Sequence, residues 1–433
     1  MPEFLRLSPP AEALQTLLSA LQKQVLNSEI INTTNALGRV TAEEVRAPHP
    51  LPEFPRSTVD GYAVRARDTY GMSESLPGYL SLIGEVPMGT TPAFELKPGE
   101  CALIHTGGML PAGANAVVML EYTQAIVRGA KLVNSPSEIE TTRATAEGEN
   151  VLRIGEDVTM DQVVLEAGVR LRPAEIGGCM ALGIVKLRVV IKPRIGIISS
   201  GDEVVSPEKS PRPGQIRDIN SYSLAALVET AGGEPVLYGI VSDSLDLMKT
   251  TARRALDECK AVVITAGSSA SARDITAEAI AALGAPGVLV HGINIRPGKP
   301  TILAVCNEKA IIGLPGNPAG ALVIAGLFVV PVIERLLGLK VRHPRPSVQA
   351  KLTINVSSQA GREDWIAVKL ITISHSPSNQ AAEQRLEEGN WVAEPIFGKS
   401  NLIFTLASAD GLVRIPMDAT GVSAGDVVEV VLM

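Results

Sequence analysis

Aromatic side chains are scarce in this sequence: Phe, Trp and Tyr together make up 3% of 433 residues. Stacking platforms for single-stranded nucleic acid are therefore not expected. The net charge of −7 also argues against wholesale nucleic-acid binding, though it leaves room for a local basic pocket. The four cysteines, Cys101, Cys179, Cys259 and Cys306, lie far apart with no CxxC. Zinc ribbons and redox dithiols thus find no support, and free thiols in a reducing compartment are expected. The five histidines show no HxxxH spacing. The N-terminus, "MPEFLRLSPPAEAL", has no basic region leading into an apolar stretch, so no secretory signal is visible and a cytoplasmic protein is expected. The longest apolar run, "AGALVIAGLFVVPVI" (319–333), contains Pro331 and reads as a buried helix, too short to span a bilayer. Also missing are a Walker loop GxxxxGK(S/T), a strand–GxGxxG–helix fingerprint and a GxSxG elbow.

What is present describes a folded, multidomain chain: 45% hydrophobic and 20% charged residues over a length too great for one core. Ser8 is a candidate N-cap with Pro9 in the first turn, and Leu14, Leu17, Leu18 and Leu21 share one helical face. Short β-like runs broken by Gly and Pro follow to about residue 150, predicting a small β-rich domain. Residues 191–337 alternate strand-like runs ("RIGIISS", "PVLYGIV", "AVVITAG", "TILAV", "AIIGLPG") with helical patterns starting at Ser221, Ser244, Asp274 and Asn317. This predicts βαβ units and a doubly wound, mostly parallel α/β domain. The last hundred residues return to short strands, predicting a C-terminal β barrel or sandwich. The expected division is 1–48 with 151–190 as a helical and β linker domain, 49–150 as an inserted β domain, 191–337 as the α/β domain and 338–433 as the terminal β domain.

In a doubly wound sheet, ligands bind beyond the C-terminal ends of the strands. Three loops there share a style. "SSGDE" (199–203) carries Asp202 and Glu203, turn residues by default but able to hold Mg²⁺ beside phosphates. "GSSASARD" (267–274) packs small hydroxyl residues after a strand, which suits either a plain turn or a close backbone approach by a ligand. "LPGNPAG" (314–320) places Asn317 as an N-cap and Pro318 at the first helical position. Gly316 there opens the backbone to an anion, and a plain capped helix fits equally well. "INIRPGKPTIL" (293–303) holds Arg296 and Lys299 on a stiff turn that suits an oxyanion or simply solvent. These residues alone point to a phosphorylated or oxyanionic small molecule, with Mg²⁺ as a companion.

Seven ordered motifs go further: "PEFPRSTVDGYAVRA" (52–66), "HTGGMLPAGANAVVMLE" (105–121), "RIGEDV" (153–158), "PRIGIISSGDEVV" (193–205), "PGQIRDINSYSLAALVETAGGEP" (213–235), "RPGKPT" (296–301) and "GLPGNPAGALV" (313–323). Together they resemble the MoeA-type molybdopterin molybdenumtransferase family, related to the gephyrin E domain. The resemblance implies an elongated helical and β part, an inserted β domain, a molybdopterin-binding α/β domain and a C-terminal β barrel. It also implies a homodimer with a cleft shared between subunits, and contact with the molybdopterin adenylyltransferase. The implied activity takes adenylylated molybdopterin and molybdate, inserts molybdenum at the dithiolene sulfurs and releases AMP with the help of Mg²⁺. A tungsten-inserting paralogue and a non-catalytic scaffold of the same fold are the alternatives. Carried over by motif, Asp60, Thr106, Asp157 and Glu203 are the catalytic candidates, with Glu203 and Asp274 as metal ligands. The substrate-binding candidates are Gly267, Ser268, Ser269 and Asp274, then Arg296, Lys299, Pro315, Gly316, Asn317 and Pro318, with Arg362 and Ser400 from the last domain. The family loop T-(S/T)-G-G-x-S-x-G is altered here: Ser268 replaces its second glycine, and the loop is one residue shorter.

Overall fold

A computed structural model of the chain describes residues 7–22, 25–126, 138–265, 270–340, 345–372 and 391–433. They form two compact units, one made of 1–42, 168–172 and 187–433 and the other of 43–167 and 173–186. The expected grouping of 1–48 with 151–190 thus cuts the chain at different points.

The larger unit is built on a six-stranded sheet. Its strand order is Glu234–Val241, Arg194–Ser200, Ala261–Thr265, Lys309–Leu314, Ile302–Cys306 and Pro286–His291. The first four strands run parallel, and the last two join antiparallel. Ala261–Thr265 is buried along its whole length, as a central strand covered on both faces must be. Helices Leu245–Glu258 and Ala270–Ala281 cover one face through Met248, Ala252, Leu256 and Ile280. Helix Asn220–Ala231, the long 318–336 helix and the N-terminal helix cover the other. This is the doubly wound arrangement expected of residues 191–337. The helix predicted to begin at Asp274 begins earlier, at Ala270.

Two further expectations need correction. The N-terminal helix spans Pro10–Ala20 with Pro9 at the cap position and no side-chain cap. Ser8 instead extends the chain, its amide donating to the Gly292 carbonyl and its carbonyl accepting from Asn294. The same helix packs Ala13, Leu17 and Leu21 into the α/β core, with Leu14 and Leu18 partly buried beside them. Finally, the apolar run 319–333 belongs to a 19-residue helix, Pro318–Leu336, which is long and apolar enough to cross a membrane. In this chain the helix lies against the sheet, with Ile324, Phe328, Val332 and Ile333 buried in the core. Pro331 does not end it. A π turn at Ala325–Val329 interrupts the ladder, and Pro331 falls in the first turn of the segment that resumes.

Five strands close the C-terminal barrel: Ser347–Leu352, Glu363–Thr372, Trp391–Pro395, Gly411–Ile415 and Val427–Leu432. Side chains alternate inward and outward, as at Val428 and Val430, which fill the interior with Leu352, Val368 and Val413. The short strand Ile295–Arg296 adds to its edge in parallel, with Ile295 opposite Glu363 and Arg296 opposite Asp364. The barrel therefore braces the RPGK turn of the α/β domain.

The smaller unit holds a six-stranded sheet ordered Ala116–Met119, Gly61–Val64, Glu100–Ile104, Gly78–Val86, Glu138–Thr141 and Thr123–Ile126. One face buries Tyr62, Val64, Leu80 and Ile139, and the other Ala63, Val86, Ile104 and Val117. The period-two alternation along Gly61–Val64 feeds both clusters.

Candidate functional site

In the larger unit, the C-terminal ends of the parallel strands build a pocket of about 230 Å³. Glu203, Arg217, Asn220, Thr265, Gly316 and Asn317 are among its walls. Gly201 starts the acidic turn with φ +140°, and a Cβ there would lie 2.7 Å from Glu203 Oε2. Glycine is thus what lets the Glu203 carboxylate fold back over the strand end. Backbone bonds fix the turn: Ile216 N–H donates to the Glu203 carbonyl at 2.8 Å, and Asp218 N–H to that of Val205 at 2.8 Å. Asp218, buried, accepts from the Ser221 amide at the start of helix Asn220–Ala231. Asn220 donates its amide hydrogens to Gly316 O at 2.9 Å and to Thr265 Oγ1 at 3.1 Å. One side chain thereby ties a helix start to two strand ends.

Sequence reasoning missed a third carboxylate here. Asp243 lies just past strand Glu234–Val241, and its amide donates to Asp202 Oδ1 at 3.2 Å. Its carboxyl is pushed above the ordinary range by burial and then by the charges of Asp202 and Glu203. An aspartate in a short "SDS" turn resembles any loop acid, and only its place at a parallel strand's C-terminal end marks it.

Asn317 also lines a second, larger cleft of about 770 Å³ between the α/β domain and the barrel. Arg296 and Lys299 enter it from the RPGK turn. Gly298 has φ +115°, and a Cβ there would lie 2.3 Å from Ile324 Cγ1. The turn can therefore lie flat on the 318–336 helix only with glycine at this position. Pro315 and Asn317 face the same cleft, and Pro318 faces the smaller pocket. Asn317 does occupy the N-cap position of the helix, but its side chain makes no cap bond. Its amide donates instead to Ser400 Oγ at 2.8 Å, while Ala319 N–H donates to the Ser400 carbonyl at 3.1 Å. Ser400 is thus joined to the PGNP turn. Arg362 lines the cleft, with its guanidinium clamped in two bonds to Asp364, at 2.7 and 2.9 Å. Lys399, which the sequence did not single out, adds a further cation.

In the smaller unit, Asp60 Oδ1 accepts from the Thr106 amide at 2.8 Å and from Thr106 Oγ1 at 3.3 Å. The Thr106 amide, above all, lowers the Asp60 carboxyl below its usual range. The structure therefore brings Asp60 and Thr106 together. Asp157 is exposed, its amide donating to the Leu51 carbonyl at 3.0 Å, and no bond from its side chain to Asp60 or Thr106 is found among the described residues. Gly267, Ser268 and Ser269 lie outside the described residues. Asp274 falls on the helix Ala270–Ala281, and its side chain too lies outside the description.

Comparison with known proteins covers most of the chain. Residues 8–183 match the MoeA N-terminal region (domain I and II), 196–335 the "Probable molybdopterin binding domain", and 349–433 the MoeA C-terminal region (domain IV). A molybdopterin molybdenumtransferase of Nostoc sp. is 32% identical over 92% of this chain and 87% of its own. One from Bacillus subtilis is 31% identical over 94% and 90%. Among solved structures, a molybdopterin biosynthesis MoeA protein from Pyrococcus horikoshii superposes with a TM-score of 0.81 at 32% identity, covering 99% of this chain and 100% of that one. With three MoeA regions in order and this likeness sustained from end to end, the chain belongs to the MoeA-type molybdopterin molybdenumtransferase family.

Proposed function

We propose that this protein inserts molybdenum from molybdate into adenylylated molybdopterin and releases AMP. It is a transferase of molybdenum cofactor biosynthesis, as its family membership supports. One observation carries the finer reading: the acidic turn 201–203 and the turn 316–318 meet at one pocket, and Asn317 joins that pocket to a cleft bearing Arg296, Lys299 and Lys399. Molybdate is a tetrahedral dianion, which guanidinium and ammonium donors suit. The wide cleft has room for the pterin and its adenylate. The two dithiolene thiols form two molybdenum–sulfur bonds while one molybdate oxygen leaves with their two protons as water; a second water adds at phosphorus as the phosphoanhydride P–O bond breaks, and AMP leaves.

The acidic side suits a hard divalent ion. Asp202, Glu203 and Asp243 offer only carboxylate oxygens; the Asp243 carboxyl is raised first by burial and then by the charges of Asp202 and Glu203, and a cation would offset the latter part. Among the described residues no three His, Cys, Asp or Glu side chains form a closed metal site. Mg²⁺ is commonly held by one or two carboxylates while water and substrate phosphate complete its shell. Glu203 and, from its helix, Asp274 are the proposed ligands. Bound there, the ion neutralises charge on the phosphoanhydride. Asp60, Thr106 and Asp157, on the smaller unit, are proposed as catalytic residues, with Arg362 and Ser400 as the barrel side of the cleft and residues 267–269 as a backbone cradle. The reading includes a homodimer with a shared cleft, and delivery of the adenylylated substrate by the molybdopterin adenylyltransferase.

The test is AMP release from adenylylated molybdopterin with Mg²⁺ and either molybdate or tungstate. Release driven by molybdate is expected. Release with tungstate alone would assign the paralogue reading, and no release from folded protein would assign the scaffold.

A further inference from the structure

His105 stands between two carboxylates in the smaller unit. Its Nε2 lies 3.1 Å from Glu85 Oε1, and its Nδ1 lies 3.7 Å from Asp60 Oδ1. Three segments converge to make this row: strand Gly78–Val86 presents Glu85, the turn after strand Glu100–Ile104 presents His105 and Thr106, and the turn before strand Gly61–Val64 presents Asp60. The turn that carries His105 is tight. Gly108 N–H donates to the His105 carbonyl at 2.8 Å, and a Cβ on Gly108 would lie 2.9 Å from that oxygen. The backbone under the imidazole is therefore fixed by a residue with no side chain.

We propose that His105 is a positioning residue for Asp60: anchored on Glu85 through Nε2, it turns Nδ1 toward Asp60 and holds that carboxylate in one orientation beside Thr106. This rests on the reading of Asp60 as part of the site. Both neighbours of the ring are acceptors, so a ring nitrogen serves whichever carboxylate it faces by presenting an N–H. Glu85 and Asp60 are the charged groups that face it among the described residues. Glu85 acts at one remove, because its bond fixes which ring nitrogen turns to Asp60, as outer partners fix metal-ligating histidines. The Thr106 amide and hydroxyl hold the same Asp60 oxygen, Oδ1. Without His105 these two bonds remain, but the ring no longer restrains the carboxylate from its other side. The lowered Asp60 carboxyl includes a contribution from His105 beside the larger one from Thr106.

The experiment uses the full chain and reads two quantities: kcat and KM for AMP release, and the midpoint of the Asp60 carboxyl followed by carbon-detected NMR. His105→Ala is expected to lower kcat by about 10–100-fold with KM little changed, the scale for loss of an orienting partner, and to raise the Asp60 midpoint. Glu85→Gln should do the same more weakly, and adding Glu85→Gln to His105→Ala should change nothing further, since the two act in series. An unmoved Asp60 midpoint in His105→Ala, or fully additive effects of the two substitutions, would overturn the proposal. Asp60→Asn separates this from the parent reading. Full turnover in Asp60→Asn would remove Asp60 from the reaction, while the NMR midpoint would still decide whether His105 holds it.

Discussion

Glu203→Gln should lower AMP release by about 10²–10³-fold, the range seen when one preorganised charge-stabilising group is removed. The melting transition should not fall. The substitution keeps the shape of the side chain and removes only its charge. The bonds that build the acidic turn are backbone bonds, from Ile216 N–H to the Glu203 carbonyl and from Val204 N–H to Gly201, and they are indifferent to that charge. Electrostatics in fact favour the folded variant. The Asp243 carboxyl is raised in the folded chain, in part by Glu203. A raised carboxyl disfavours its own ionised form, so its contribution to stability is lost as pH rises through the folded value. With glutamine at 203 one source of that repulsion disappears, and Asp243 should titrate lower. Single-turnover AMP release beside a calorimetric scan reads both effects. Turnover at the parent rate would mean that Glu203 holds nothing in the reaction.

Arg362→Ala should destabilise the chain by about 3–5 kcal/mol, the cost of leaving a buried carboxylate without its partner. The side chain of Asp364 is 0% exposed, and Arg362 holds both of its oxygens. The damage should not stay in the barrel, because Asp364 pairs in register with Arg296 on the short parallel strand beside it. Weaker anion binding should therefore accompany the loss of stability. Replacing both partners with apolar residues, Arg362→Met with Asp364→Leu, should recover much of the stability. Urea unfolding of the three chains provides the measurement. A loss below about 1 kcal/mol for Arg362→Ala would show that water reaches Asp364 and the pair is not buried in solution.

Much of the fold could be read from the sequence because local and tertiary signals agree. "AVVIT" is a continuous apolar run and a fully buried strand, and the PGNP turn does place Asn317 and Pro318 at a helix start. Readings failed where a distant segment outbid the local one. Ser8 has the chemistry of a cap, but its backbone is drawn into a bridge with residues 292–294. Pro331 stands inside the buried helix that the apolar run predicts, where a π turn just before it absorbs the misfit. Asn317 has a capping side chain, but Ser400, 83 residues away, takes its amide. The site followed the same rule. The cations of RPGK and the acid of SSGDE stand on recognisable turns at strand ends. Asp243 and Lys399 carry no local mark, and Arg362 gives no sign in sequence that Asp364 occupies its guanidinium.

The proposed division of labour within the larger unit has cations on the RPGK turn holding the oxyanion and carboxylates at the strand ends serving the phosphoanhydride. Equilibrium dialysis of molybdate against three chains tests it most directly. The parent and Glu203→Gln should bind molybdate equally, and the double substitution Arg296→Ala with Lys299→Ala should lose at least about tenfold in affinity, a change of about 1.4 kcal/mol. Undiminished binding by the double variant, or binding abolished by Glu203→Gln alone, would contradict it.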